Sequence, residues 1–476
     1  MPSRVPVDEA ANAFSRRIPL IVAAAFFMET LDATIVTTAL PAMAQSLGES
    51  TLDLTASVTV YLVAMTVFVP TAAWASERVG ARNLFAGAVA VFTLASLLCG
   101  ASPTFGALLA ARLLQGIAAA FMSPVGRLIV LTETPKDRII DAIGLIVWPG
   151  LIAPVIGPAL GGFIATYANW RWIFFVNIPL GLVGVYLVLR YVPRHAPGGR
   201  TKFDAAGFVL TATALGALIY GLSLVAAGRG DLALGALLSV LGLACGFAAV
   251  RHARRHPSPL LDLTAAAVPT FAFSTMTAGF AARVAISMTP FLLPLMFQIG
   301  FGASAFEAGL MVLVYMAGNL AMKSVTTPLL HRFGFRDVIR VNGALCSASL
   351  VACALLTPAV PVPVVYGVLL LAGMTRSMNF TAMNTLAFAD VAGGLRASAT
   401  TLSAMAQQAA SALGVAAGAI ALSAFQALRS DTVLVQSDFR NALFVAAALM
   451  TAVTLASLRL PADAGAELAR RSRGSS

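Results

Sequence analysis

Charge is what this chain has least of. Only 11% of its 476 residues are Asp, Glu, Lys or Arg, against about a quarter in a soluble globular domain. With 59% hydrophobic residues and a mean hydropathy of +0.87, that deficit excludes an ordinary water-soluble fold. It points to an all-α protein crossing the membrane many times. Cysteine is scarce too. Cys99, Cys245, Cys346 and Cys353 all sit in apolar runs, with neither disulfide-framework nor zinc spacing, and read as small buried residues. The four histidines, His195, His252, His256 and His331, fall in expected cytoplasmic loops. That leaves no His-Glu-x-x-His metal site and no Ser-His pair in the membrane. No Gly-x-x-x-x-Gly-Lys-[Ser/Thr] loop occurs and no loop is long enough for an ATPase domain, so any pumping has to be driven by ions.

What is there is a series of apolar runs near the ~20 residues a bilayer requires. Fourteen candidate spans follow one another, the first over 18–41 and the last over 439–459. The first run is too long for a secretory signal and lacks a small-residue cleavage site, so it reads as an uncleaved span. Lys and Arg concentrate in alternate loops. Arg78/Arg82, Lys136/Arg138, Arg194/Arg200/Lys202, Arg251/Arg254/Arg255 and Arg332/Arg336/Arg340 fall on one side, and only Arg171, Arg229, Arg429 and Arg440 on the other. By the positive-inside rule both termini are cytoplasmic. The net charge of +11 is therefore a topology signal, and a nucleic-acid partner is not expected. Gly228-Arg229-Gly230-Asp231 resembles an intramembrane protease motif, but its position and turn chemistry make it a loop.

Two short loops match. Arg78-Val79-Gly80-Ala81-Arg82 follows the second span and Arg332-Phe333-Gly334-Phe335-Arg336 follows the tenth. Both put Arg-x-Gly-x-Arg after the second helix of a six-helix unit, which implies a duplicated architecture with a central site. The expected division is a cytoplasmic segment 1–17, a first six-helix bundle 18–192, a linker with two additional helices 193–262, a second bundle 263–460, and a disordered tail 461–476. Gly permits the tight turn. The arginines serve either as a latch between conformations or as anchors on helix C-terminal carbonyls.

The charges inside the spans are the functional signal. Glu29 and Asp32 lie three residues apart on one face of the first span, where each charge costs ~2.5–3.5 kcal/mol. Arg112 in the fourth span is expected at the height of Asp32, given 1.5 Å per residue. A buried arginine requires an anion, so Asp32–Arg112 is the first-choice pair and Glu29 the competing partner. The pair reads as a proton switch or a static bridge. In the second half Arg283, Arg376, Asn379, Asn384 and Gln407 lie within spans, and few acids are in view for the two arginines. Lys323, near a cytoplasmic end, reads as a snorkelling side chain. The fifth span carries Pro149, Pro154 and Gly157-Pro158-Ala159-Leu160-Gly161-Gly162. Its prolines bend the axis and its glycines admit a close neighbour.

Together these segments resemble the major facilitator superfamily, in particular its fourteen-span drug:proton antiporter branch. Leu31-Asp32-Ala33-Thr34 through Pro41 is similar to that branch's first-helix signature, and Arg112-x-x-Gln115-Gly116 to its fourth-helix motif. Gly157-Pro158-x-x-Gly161-Gly162 is similar to its fifth-helix antiporter motif, and Trp170 to Gly181 to the segment that follows. The loop after the second span departs from the pattern, with Ala73 and Glu77 where Gly and Asp are expected. The resemblance implies two six-helix bundles plus two inserted central helices. It implies a proton gradient in place of a cofactor, Asp32, Glu29 and Arg112 in proton coupling, and Glu77, Arg78, Gly80, Arg82, Arg332, Gly334, Arg336, Gly157, Pro158, Gly161 and Gly162 in gating. Substrate contacts are expected at Glu29, Asp32, Arg283, Arg376, Asn379 and Gln407. The expected protein is a monomer in an inner membrane that exports small lipophilic, cationic compounds. Organic anions met by Arg283 and Arg376 are the alternative, and proton symport is the less favoured one.

Overall fold

The computed structural model describes residues 16–195, 198, 202–227, 232–431 and 433–461. The expected segment 1–17 therefore lies outside the described residues except for Arg16 and Arg17. So do the tail beyond Pro461 and the Gly228–Asp231 turn.

Backbone amides have no water to bond inside a bilayer, so each span must satisfy them within itself. Every long element is accordingly a helix, with no strand among the described residues. Thirteen helices are long and apolar enough to cross a membrane. They are α1 (Arg17–Leu47), α2 (Thr51–Val79), α3 (Ala81–Ala101), α4 (Phe105–Glu133), α5 (Asp141–Tyr167), α6 (Trp172–Tyr191), α7 (Ala205–Leu222), α8 (Leu232–Ala253), α9 (Pro269–Gly300), α10 (Ala305–Phe333), α11 (Phe335–Ala354), α13 (Gly393–Leu428) and α14 (Gln436–Ser457). The fourteenth, α12 (Val362–Ala389), has 28 residues. At 1.5 Å per residue it is about 42 Å long, ample for a span, but Arg376, Asn379 and Asn384 dilute its apolar character.

The packing repeats. In the first unit α2 packs on α4 and α3 on α6; in the second α10 packs on α12 and α11 on α14. The units meet through α2 on α13 and α5 on α10. Those two contacts are equivalent when the six-helix units are exchanged. The matching loops share backbone geometry: Gly80 (φ 86°) and Gly334 (φ 78°) both occupy the left-handed region, which suits glycine. Arg82 donates to the Leu189 carbonyl at the end of α6. Arg340, in the second turn of α11, donates to the Ser457 and Leu458 carbonyls at the end of α14 at 3.3 and 2.5 Å. In both units, then, a basic residue in the first two turns of the third helix caps the end of the sixth.

The inserted pair α7 and α8 crosses backbone against backbone at glycine: a Cβ on Gly242 would lie 2.6 Å from the Leu218 amide nitrogen. Ile219 then packs on Ala412 and Ala416 of α13, beside an apolar crevice of about 380 Å³ between α2, α4, α7 and α13. At the end that the basic bias assigns to the outside, the two units close on each other. Gln298 of α9 donates to the Thr38 carbonyl at 3.1 Å and the Phe306 amide to Thr166 Oγ1 at 3.0 Å. Gly162 and Gly309 let α5 and α10 touch: added Cβ atoms would lie 2.2 Å from the Ala305 oxygen and 2.4 Å from the Pro158 oxygen.

Candidate functional site

The helices α1 and α4 both pack in the first unit and run in opposite directions. The later acid on α1 therefore meets the earlier polar residue on α4. Arg112 Nη1 lies 2.6 Å from Asp32 Oδ2, with both side chains fully buried. Asp32 Oδ1 also accepts from Gln115 Nε2 at 2.8 Å and from Asn177 Nδ2, at the start of α6, at 3.0 Å. Arg112 donates further to the Gln115 amide oxygen at 2.7 Å and the Ser57 carbonyl at 3.2 Å. Its guanidinium lies 4.3 Å from the Tyr61 ring centre. Ser96 accepts from Gln115 at 2.9 Å and completes the network. A carboxylate with one cation and two amide donors around it is compensated for its lost hydration, which is what makes a midmembrane charge tolerable.

Glu29 is in another situation. It is 6% exposed, and Arg112 does not reach it. Both of its carboxyl oxygens lie against Ser123 Oγ, at 2.9 and 2.8 Å. A serine hydroxyl has one proton to give. It can donate to one oxygen, and a protonated carboxyl can fill the second contact by donating back. One turn further along α4, Arg127 lies over the Phe26 ring at 5.7 Å. The two acids therefore differ in kind: Asp32 is enclosed by donors, and Glu29 is held by a hydroxyl.

The second unit contributes cations. Arg283 on α9, 3% exposed, donates to the Ser274 carbonyl at 2.8 Å and to Asn384 Oδ1 at 2.9 Å. Lys323 on α10 donates to Thr381 Oγ1 at 2.8 Å. It is tied to α12, which replaces the expected snorkelling, because Thr381 offers an acceptor inside the unit. Arg376 on α12 contacts Met316 Sδ at 3.6 Å and lies over the Tyr315 ring at 5.7 Å. Asn379 is 1% exposed, and neither amide atom has a hydrogen-bond partner among the described residues. Gln407 is partly buried. Its neighbour Gln408 makes the cross-unit contact, donating to Met65 Sδ at 3.0 Å.

The gating candidates are placed as follows. Gly157 and Gly161 let α5 lie on α1, with added Cβ atoms 2.3 Å from Thr34 Oγ1 and 2.3 Å from the Ile35 oxygen. Pro158 and Gly162 lie against α10. Arg78 stacks on Trp74 at 6.0 Å and Arg332 on Phe333 at 5.3 Å, both on rings of their own helices. Glu77 precedes Arg78 at the end of α2 and Arg336 opens α11.

Sequence reasoning did not single out Ser123 or Asn177 as partners of the acids. Lone polar residues in apolar helices signal them weakly, since each usually bonds its own backbone.

A profile described as "Major Facilitator Superfamily" matches residues 22–415. A Citrobacter koseri protein named "Putative multidrug resistance protein MdtD" is 37% identical over 465 residues, covering 95% of this chain and 97% of its own. An Escherichia coli O6:H1 protein of the same name is 37% identical, covering 93% of this chain and 94% of its own. Among solved structures, a D-xylose-proton symporter superposes with a TM-score of 0.68 at 14% identity, covering 94% and 98% of the two chains. The E. coli xylose transporter XylE in an inward-open conformation gives 0.64 at 11%, covering 95% and 98%. Those two likenesses concern the fold alone. With a repeated six-helix packing, a profile spanning most of the length and relatives matched nearly end to end, the chain belongs to the major facilitator superfamily and is a multi-pass membrane transporter rather than an enzyme.

Proposed function

We propose that this transporter is a proton-coupled antiporter that exports small lipophilic molecules across the inner membrane by alternating access. The observation that carries this reading is the unequal environment of the two acids on α1. Asp32, bonded to Arg112, Gln115 and Asn177, holds α1, α4 and α6 together. Glu29, bonded to Ser123 alone among the described residues, gains and loses the transported proton. A proton on Glu29 removes a charge from the membrane interior, where it costs ~2.5–3.5 kcal/mol. Substrate and proton therefore act on the same equilibrium between two arrangements of the units. By linkage each changes the other's affinity by the same factor.

Export as the direction is supported by the fifth-helix Gly-Pro-x-x-Gly-Gly segment and by the name the relatives carry. The closure at the outer end, through Gln298–Thr38 and Thr166–Phe306, supports a state that loads from the cytoplasmic side. The test uses everted vesicles with an internal pH probe. Ethidium, naphthol and naphthoate are added in turn as cationic, neutral and anionic candidates. At least one must dissipate the gradient in vesicles with this chain and not in empty ones. Transport that proceeds without proton movement would refute the coupling.

A further inference from the structure

The second unit holds three basic side chains at membrane depth and gives none of them an acid. Arg283, Lys323 and Arg376 form no ion pair among the described residues. Their partners are a carbonyl, an amide oxygen, a hydroxyl and a thioether. Arg283 Nε and Arg376 Nε are buried without a hydrogen-bond acceptor. In the first unit the buried Arg112 also has an unpartnered nitrogen, Nη2, but is ion-paired with Asp32 at 2.6 Å. Uncompensated buried cations are costly and are expected to face an anion or water.

The three also converge. Arg283 and Lys323 lie 6.0 and 5.6 Å from the same Phe380 ring. Arg376 is one helical turn before Phe380 on α12, over Tyr315. Asn379, with both amide atoms unpartnered, belongs to the same turn. Its side chain offers two further donors.

Resting on the export reading, we infer that the transported substrate is an amphipathic organic carboxylate whose head is taken by Arg283, Lys323 and Arg376. The guanidinium fork suits a carboxylate in two-point contact. Phe380, Tyr315 and Met316, the groups already touching the cations, take the apolar body; thioethers and rings adapt to varied shapes. A cationic compound would meet three like charges here, so the cationic substrate expected from the resemblance is disfavoured at this wall. Glu29, on the opposite unit, would favour it.

The experiment uses the purified full chain in detergent and three probes that share one ring system: 1-naphthoate, 1-naphthylmethanol and 1-naphthylmethylammonium. Binding is measured by calorimetry on wild type and on Arg283→Gln, Lys323→Gln and Arg376→Gln, each checked for folding by its unfolding temperature. Naphthoate is expected to bind best. Each substitution should weaken it by roughly ten- to hundred-fold, the worth of one charge-assisted hydrogen bond, and leave naphthylmethanol unchanged. If the variant of the buried Arg283 does not fold, Arg376→Gln and Lys323→Gln, both at partly exposed positions, carry the same expectation. Absence of naphthoate binding, equal or tighter binding of the ammonium probe, or undiminished naphthoate affinity in folded variants overturns the inference. Binding requires no gradient. Naphthoate that binds but moves no protons would therefore count against the antiport reading and leave this site standing.

Discussion

Asp32 and Arg112 form a fully buried ion pair, 2.6 Å from Oδ2 to Nη1, while Glu29, one turn before Asp32, bonds a serine. Removing one partner of a buried pair strands the other charge and costs roughly 3–5 kcal/mol. Asp32→Asn and Arg112→Gln should each lower the unfolding temperature sharply. The double variant should be less damaged than the sum of the singles. A double-mutant cycle by thermal unfolding checks this, and additivity would mean that the pair is not coupled.

Asn177 brings α6 to the same carboxylate at 3.0 Å. Asn177→Leu leaves Asp32 with Arg112 and Gln115, and should cost roughly 1–3 kcal/mol, as losing a donor to a buried charge does. The stability measurement is paired with the pH profile of transport. A change in stability with an unmoved profile is expected, because the proposed proton carrier is Glu29, which Asn177 does not bond.

Closure of the outer end rests on backbone contact at Gly162, where a Cβ would lie 2.2 Å from the Ala305 oxygen. Gly162→Ala should separate α5 from α10. Gly150→Ala is the control, since a Cβ there meets nothing within 4 Å. Distances between spin labels on the outer ends of the two helices should broaden toward longer values in Gly162→Ala and match wild type in Gly150→Ala.

Asp204 caps α7 through the Gly207 amide at 2.8 Å, and also binds His252 at 2.8 Å and the Leu260 amide at 3.1 Å. Burial works against its charge, but the Gly207 and Leu260 amides and His252 hold its carboxyl below the usual carboxylate range. A depressed carboxyl stabilises the fold above its unfolded pKa of about 3.9, and that contribution is lost as pH falls through the folded value. Asp204→Ala should cost about 1 kcal/mol as a lost cap and flatten the acid sensitivity of α7, read by hydrogen exchange across a pH series.

Much of this was legible because membrane helices leave few alternatives. Counting 1.5 Å per residue along α1 and α4 places Asp32 level with Arg112, and the structure joins them. Matching Arg-x-Gly-x-Arg loops point to a duplicated unit, and Gly80 and Gly334 share one backbone conformation. What was not legible depends on which way a side chain turns. Ser123 could have bonded its own helix, as Thr132 does with the Leu128 carbonyl. Lys323 could have reached for the membrane surface, yet Thr381 holds it. Asn177 is one polar residue among apolar ones, and only the approach of α6 to α1 and α3 gives it Asp32 and Ser96 as partners.

The assignment of the transported proton to Glu29 is tested most directly by proton release when substrate binds. Purified protein in weakly buffered detergent is mixed with whichever probe drives proton flux in vesicles, and the pH change is recorded near neutrality. Wild type should exchange protons on binding, and Glu29→Gln should bind the probe with no proton exchange at all. Undiminished proton exchange by Glu29→Gln would contradict the assignment and return the role to Asp32.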